Sequence, residues 1–229
     1  MDEETKIKCY HGTTKENQES IQIEGFKESK PKKGHWLGRG VYFYRNIYYA
    51  IEWNIINYIK KGDSYEDFTI KSAIIKATLN LEKFELLDLN DPIGYSCYLE
   101  IIEIIKEKFP EKIKKIERNG DIEIIRLLEE IEEKTNEKYI SLFDILIAEY
   151  PKDIYNKGNK NIKGNFLPCI QEQICVKNND AISKIETINL EDKEVKSYFD
   201  IIKKNREVYK NEKQYRIIKK VNRKNKRNT

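Results

Sequence analysis

Chemistry is first suggested in this sequence where a histidine is followed at once by a glycine, in Tyr10-His11-Gly12-Thr13. The preceding residues alternate so that Ile7, Cys9 and His11 share one face of a short strand. A strand ending there exposes the imidazole, and Gly12 lets a flat, amide-bearing ring come close to backbone N–H and C=O groups. A second stretch, Gly38-Arg39-Gly40-Val41-Tyr42-Phe43, has two glycines that let a loop pass near a ligand and aromatics that could wall a pocket. Arg39 supplies a cation of the kind that faces phosphates. His35 and Trp36 just before it either touch a ligand or anchor the loop. Taken singly, each stretch has a plainer reading: a histidine hydrogen-bonded in a core, and a tight turn entering a packed strand. Cys9, Cys97, Cys169 and Cys175 form no Cys-x-x-Cys pair and the chain has 2 His, which argues against a zinc site and against a disulfide framework.

Positioning these residues requires an ordered scaffold. Thr13 with Glu16 three residues later predicts a helix start directly after the first strand, ending near Gly25. Val41 to Tyr44 reads as a strand. Asn46 is the cap of a helix whose face carries Ile47, Ala50, Ile51, Asn54, Ile55 and Tyr58. Strands are expected at 72–79 and 84–89, with Asp91-Pro92 ending that section. The segment from about 95 to 140 changes character. It predicts two amphipathic helices broken at Pro110 or at Asn119-Gly120, with Ile124, Leu127, Leu128 and Ile131 on one stripe. Strand character returns at 142–147, and a polar loop follows at 157–165. Two more strands are expected at 173–176 and 185–190, and a last helix carries Val195, Phe199, Ile202 and Tyr209. Strands at both ends with helices between them make the chain α+β, not an alternating βαβ fold. Gly38-x-Gly40 lacks a third glycine and precedes a strand, which excludes a Rossmann nucleotide loop.

The 229 residues suit one domain at 1–190 with a helical insertion, followed by a basic extension at 191–229. From Lys193 to Thr229 the chain has 14 Lys and Arg against 4 Asp and Glu, although its overall net charge is only +4. Such a run either follows a nucleic-acid backbone, with Tyr198, Tyr209 and Tyr215 stacking on bases, or is a solvated helix and tail, or docks an acidic partner such as an antitoxin. No apolar run approaches the roughly 20 residues a membrane span needs. The charged opening, Met1 to Lys6, is unlike a signal peptide. The expectation is a cytoplasmic protein without membrane contact.

Together, in this order and separation, the two glycine-bearing stretches resemble the ADP-ribosyltransferase superfamily. The likeness is to its His-Tyr-Glu branch, which includes the poly-ADP-ribose polymerases and diphtheria toxin. A helix there presents a second aromatic, and Trp53, eleven positions after Tyr42, falls at that place. The chain looks closer still to small bacterial proteins of the superfamily that share Tyr-His-Gly-Thr, Gly-Arg-Gly-Val-Tyr-Phe and a final strand of the type Gln-Ile-Cys-Val. The resemblance covers roughly residues 6–58 and 142–190.

It implies a split antiparallel sheet with flanking helices, NAD as co-substrate, no metal, and transfer of one ADP-ribose unit with loss of nicotinamide. The site it implies runs from Tyr10 to Thr13 and from Arg39 to Tyr42. Gly12 would meet the carboxamide, His11 would hold a ribose hydroxyl, and Tyr42 and Trp53 would sandwich the nicotinamide. Gly40 would lie in the loop near the ligand. Ala50 stands where the polymerases use a serine. The superfamily's strand glutamate corresponds in the preferred register to Gln173, with Glu172 reaching the same place only through a bulge. The catalytic set implied is therefore His11, Tyr42 and Gln173 or Glu172. The acceptor would be a macromolecule, RNA or DNA ahead of protein, in a toxin–antitoxin or phage-defence setting. An NAD glycohydrolase and a non-catalytic NAD-binding module are the alternatives.

Overall fold

Apolar residues at Ile7 and Cys9 in β1 (Lys6–Thr14) and at Ile75, Ala77 and Leu79 in β3 (Ser72–Asn80) give the two strands a common buried face. In the computed structural model, which describes residues 5–28, 35–60, 62–111, 124–151 and 170–205, these two strands run antiparallel from Lys6↔Asn80 to Thr14↔Ser72. Further antiparallel pairs join β2 (Val41–Tyr44) to β6 (Ile170–Val176), β5 (Ile145–Pro151) to β6, and β3 to β7 (Ile182–Thr187). Among the described strands, only β4 (Leu86–Asp88) is parallel to its neighbour, β5. The result is a seven-stranded, mostly antiparallel sheet in the order β4-β5-β6-β2-β1-β3-β7, with helices packed on it. This is the α+β class expected.

The centre of the sheet is nearly divided. β1 and β2 share one bridge, Tyr10↔Tyr44, whereas each strand has a long ladder with its outer neighbour. The core follows this division. One face carries a continuous apolar layer, with Cys9, Phe43, Ile75, Ile147 and Ile174 from both halves and Phe26 over them. The opposite face carries two separate clusters. One packs α4 (Pro92–Lys108) and α5 (Ile124–Thr135) on Leu146, Ala148 and Cys175. The other packs α2 (Ile47–Asn57), α3 (Tyr65–Lys71) and α6 (193–205) on Tyr44 and Ile74. Alternation in the strands assigns neighbours to opposite faces: Phe43 goes to the shared layer, while Tyr42 and Tyr44 go to the two separate ones.

Several local expectations shift by a residue or more. The cap of α1 (Lys15–Glu24) is Thr14, not Thr13, because β1 keeps its ladder through Thr14, whose side chain then accepts the Asn17 N–H at 3.2 Å. Gly25 ends α1 at φ 78° and Asn46 caps α2, both as read from the sequence. The sequence reading missed α3, which opens on a Ser64–Asp67 capping box. It also took Asp91-Pro92 for an ending, whereas Asp91 caps α4 with Pro92 in its first turn. The strand expected at 142–147 begins at Ile145, and Ile140–Leu142 form a 3₁₀ turn. The strand expected at 185–190 is β7, three residues earlier. The break at Asn119-Gly120, the loop at 157–165 and the tail beyond 205 lie outside the described residues.

Helix α2 lies directly on β1 at Gly12. The Asn54 side chain, fully buried, donates to the carbonyls of Thr13 and Ala73 at 3.0 and 2.9 Å, tying the helix to two strands. A Cβ on Gly12 would come within 2.4 Å of the Ala50 carbonyl and 2.6 Å of Asn54 Oδ1. The glycine is thus required by helix packing. Gly12→Ala should lower stability by about 1–3 kcal/mol through overpacking, read as a drop in the urea midpoint with an unchanged slope.

Candidate functional site

Where β1 and β2 part beyond their single bridge, the sheet opens into a cleft of about 350 Å³. Its walls include His11, Gly12 and Thr13 from β1, Gly40 and Tyr42 from the glycine loop and β2, Trp53 from α2 and Gln173 from β6. These residues, singled out from the sequence, therefore meet in one place, and His35 joins them. Phe26, Lys27 and Tyr44 also face the cleft.

His11 spans the gap that the backbone leaves. Its Nδ1–H donates to the Tyr42 carbonyl at 2.8 Å, so the neutral ring keeps Nε2 as an acceptor. Phe26 and Phe43 pack edge-on against the imidazole at 5.3 and 5.8 Å. Burial lowers the His11 pKa below its ordinary 6.5, and the bond to Tyr42 opposes this only in part. The ring is therefore neutral at physiological pH.

Tyr42 uses its hydroxyl completely. It donates to the Gly38 carbonyl at 2.8 Å and accepts the Leu37 N–H at 3.0 Å, clamping the turn that precedes β2. Burial holds the phenol far above its ordinary pKa, so it stays protonated. What Tyr42 offers a ligand is its ring, and the His35 imidazole already lies over that ring at 4.8 Å, tilted by 33°. Trp53, 43% exposed, lines the same cleft.

The two candidates on β6 separate cleanly. Gln173 lines the cleft, and its Oε1 accepts the Trp36 indole N–H at 2.7 Å. Glu172, one residue earlier, points to the other face. There the Arg45 guanidinium lies 3.9 Å away, while burial and the nearby Asp88 and Glu149 raise the pKa of its carboxyl. The strand carries no bulge at this point, since Tyr44↔Gln173 and Ala148↔Gln173 are in regular register.

Three further residues expected at the site lie elsewhere. Tyr10 packs into the cluster under α2 and α3. Ala50 is fully buried, its carbonyl against Gly12. Arg39 turns to α5, where its guanidinium pairs with Glu133 and its backbone N–H donates to both oxygens of Glu129, at 2.9 and 3.1 Å. Among the described residues lining the cleft the cation is instead Lys27, paired with Glu24. Glu129 was not foreseen as important. It is buried, also pairs with Lys177, and sits where a Cβ on Gly38 (φ 84°) would go. The helical segment thus holds the glycine loop in place. Trp36, a ligand contact or a loop anchor by its place in the sequence, bonds to Gln173. No group of three or more His, Cys, Asp or Glu among the described residues could hold a metal ion, and no described helix is long and apolar enough to cross a membrane.

Two measurements follow from this geometry. Because the folded protein disfavours charged His11, protons bind the unfolded chain more readily between the lowered pKa and 6.5. His11 should therefore cost no stability above pH 6.5 and a growing amount as pH falls below it. Urea midpoints of His11→Asn should lack this component, and identical pH profiles for the two proteins would refute it. Tyr42→Phe keeps the ring but leaves Leu37 N–H and Gly38 C=O without their partner, and should cost about 1–3 kcal/mol in the same assay.

No family model matches the sequence, and no solved structure matches it. The chain is similar to an uncharacterized protein of Methanocaldococcus jannaschii, 28% identical over 199 residues, a span covering 81% of this chain and 89% of that protein.

Proposed function

We propose that the chain is an NAD-dependent mono-ADP-ribosyltransferase with the split-sheet fold of that superfamily. One observation carries the reading. His11, Tyr42 and Gln173, from three strands distant in sequence, line a single cleft at the seam of the sheet, in the order the superfamily motifs require. In the reaction the C–N bond between ribose and nicotinamide breaks, nicotinamide leaves with the bonding pair, and an acceptor oxygen or nitrogen bonds the same carbon and loses its proton. The Tyr42 ring and Trp53 would flank the nicotinamide, and His11 Nε2 would accept from a ribose hydroxyl. Lys27 is the cation nearest to hand for the pyrophosphate. A macromolecular acceptor, nucleic acid ahead of protein, follows from the basic run after Lys193. A toxin or phage-defence role, held in check by an acidic antitoxin, fits that charge.

A second reading, a binding module without turnover, draws support from the cleft's charge. Among its described lining residues none is a carboxylate, so no anion faces the position where positive charge would develop.

Purified protein incubated with NAD labelled in its adenylate half and a whole-cell lysate tests these readings together. Label on nuclease-sensitive or protease-sensitive material, with nicotinamide released, supports the transferase. Nicotinamide without labelled macromolecule identifies a glycohydrolase, and NAD binding without either product identifies the module. His11→Ala should reduce product by about 100-fold or more while the protein remains folded. Full activity in that variant would remove His11 from the mechanism.

A further inference from the structure

Gln173 and Trp36 stand 137 residues apart, yet their side chains are hydrogen-bonded at 2.7 Å. An indole nitrogen can only donate, so the amide oxygen of Gln173 must be the end that meets it. The Gln173 amide is thereby fixed with its NH₂ group as the end left for the cleft. Trp36 is itself held firmly. It packs on the cluster under α4 and α5, and its neighbours Leu37 and Gly38 are clamped by the Tyr42 hydroxyl. The turn is closed again by Gly38 N–H donating to the His35 carbonyl at 3.3 Å. A chain of contacts runs from Tyr42 through the turn to Trp36 and on to Gln173.

We propose that Trp36 is a positioning residue that orients Gln173 as a hydrogen-bond donor toward the cleft, so that the bound ligand presents an oxygen acceptor there. This rests on reading the cleft as a nicotinamide-nucleotide site, and it sharpens that reading. A carboxylate at this strand position could only accept from a ribose hydroxyl; the pinned amide donates to the oxygen. His11 Nε2 supplies an acceptor to the same cleft, so donor and acceptor stand on different strands. The ligand chemistry it selects is a sugar hydroxyl or carbonyl oxygen whose lone pair faces β6. An anionic side chain in place of Gln173 would repel that lone pair.

The amide's polarity and its orientation are separable by substitution. Gln173→Glu keeps the shape and still accepts from Trp36, but turns an acceptor toward the ligand. Gln173→Leu removes both functions without adding charge. Trp36→Phe removes the indole N–H and frees the amide to flip. NAD affinity, measured by calorimetry on the full chain, should fall about tenfold or more in Gln173→Glu, because a donor is lost and two acceptors are opposed. It should fall by a smaller factor in Trp36→Phe, and Trp36→Phe should cost nothing further when Gln173 is already Leu. A merely structural role for Trp36 would weaken binding equally in both backgrounds, and that result would overturn the proposal. Tighter NAD binding by Gln173→Glu would overturn it as well.

A ligand-free measurement separates this from failure of the wider reading. The chain has 2 Trp, so the indole N–H resonance of Trp36 is assigned by its loss in Trp36→Phe. It should exchange slowly with solvent in the wild type and shift in Gln173→Leu. If it is indifferent to Gln173, the contact is absent and the proposal fails whatever binds. If it responds but the wild type binds no NAD, the nucleotide reading fails and takes the ligand assignment with it.

Discussion

The single bridge between β1 and β2 is the constraint on which the rest of the architecture depends. A paired seam would close the sheet and satisfy its backbone groups; an open one needs other means of holding two halves together. Two devices meet that need. The apolar layer on one face runs unbroken across the seam. His11 reaches over it to the Tyr42 carbonyl. Within one half, the bond from Trp36 to Gln173 ties the glycine loop to β6. The residues that line the cleft are largely those that keep it from collapsing or splitting. For that reason a substitution there should be judged first on folding and only then on chemistry.

The helical segment between β4 and β5 is part of this economy. The sequence marks it only as a helical insertion outside the resemblance. In the fold α5 delivers Glu129 to the turn at Gly38 and Arg39, where one buried carboxylate takes the Arg39 backbone N–H and the Lys177 ammonium. Losing one partner from such a buried group strands the others, which is costly even when the intact cluster contributes little. The glycine loop is therefore shaped by a helix from nearly ninety residues further along the chain.

Much of the fold was legible where local chemistry decides it. Asn46 caps α2, Gly25 ends α1, and the alternation in β1 sends Cys9 and His11 to one face, all from side chains close in sequence. The register that favours Gln173 over Glu172 was also readable, because strand parity is a local property. What escaped reading was decided at long range. Arg39 looks like a phosphate ligand until α5 supplies Glu133, and Tyr10 shares a motif with His11 yet packs on the opposite face. Thr13 loses the capping role to Thr14 because β3 holds the strand one residue longer than the helix signal allows. Trp36 reads from the sequence only as a ligand contact or a loop anchor, since its partner is an amide more than a hundred positions away.

The route of the chain through the sheet has a kinetic consequence. β2 and β1 come early, but β6, which supplies Gln173 and pads the far side of β2, comes after β5, late in the chain. During synthesis the first strands must wait as an incomplete half-sheet, with the β2 edge unpaired and exposed to other chains. Pairings between such distant segments form slowly, because loop closure comes before any reward in contacts. Until β6 docks there is no cleft wall, no seat for the Trp36 indole and no completed glycine loop. A nascent or truncated chain lacking that strand is thus a molecule without the cleft, and the last strands to emerge act as the commissioning step for everything upstream.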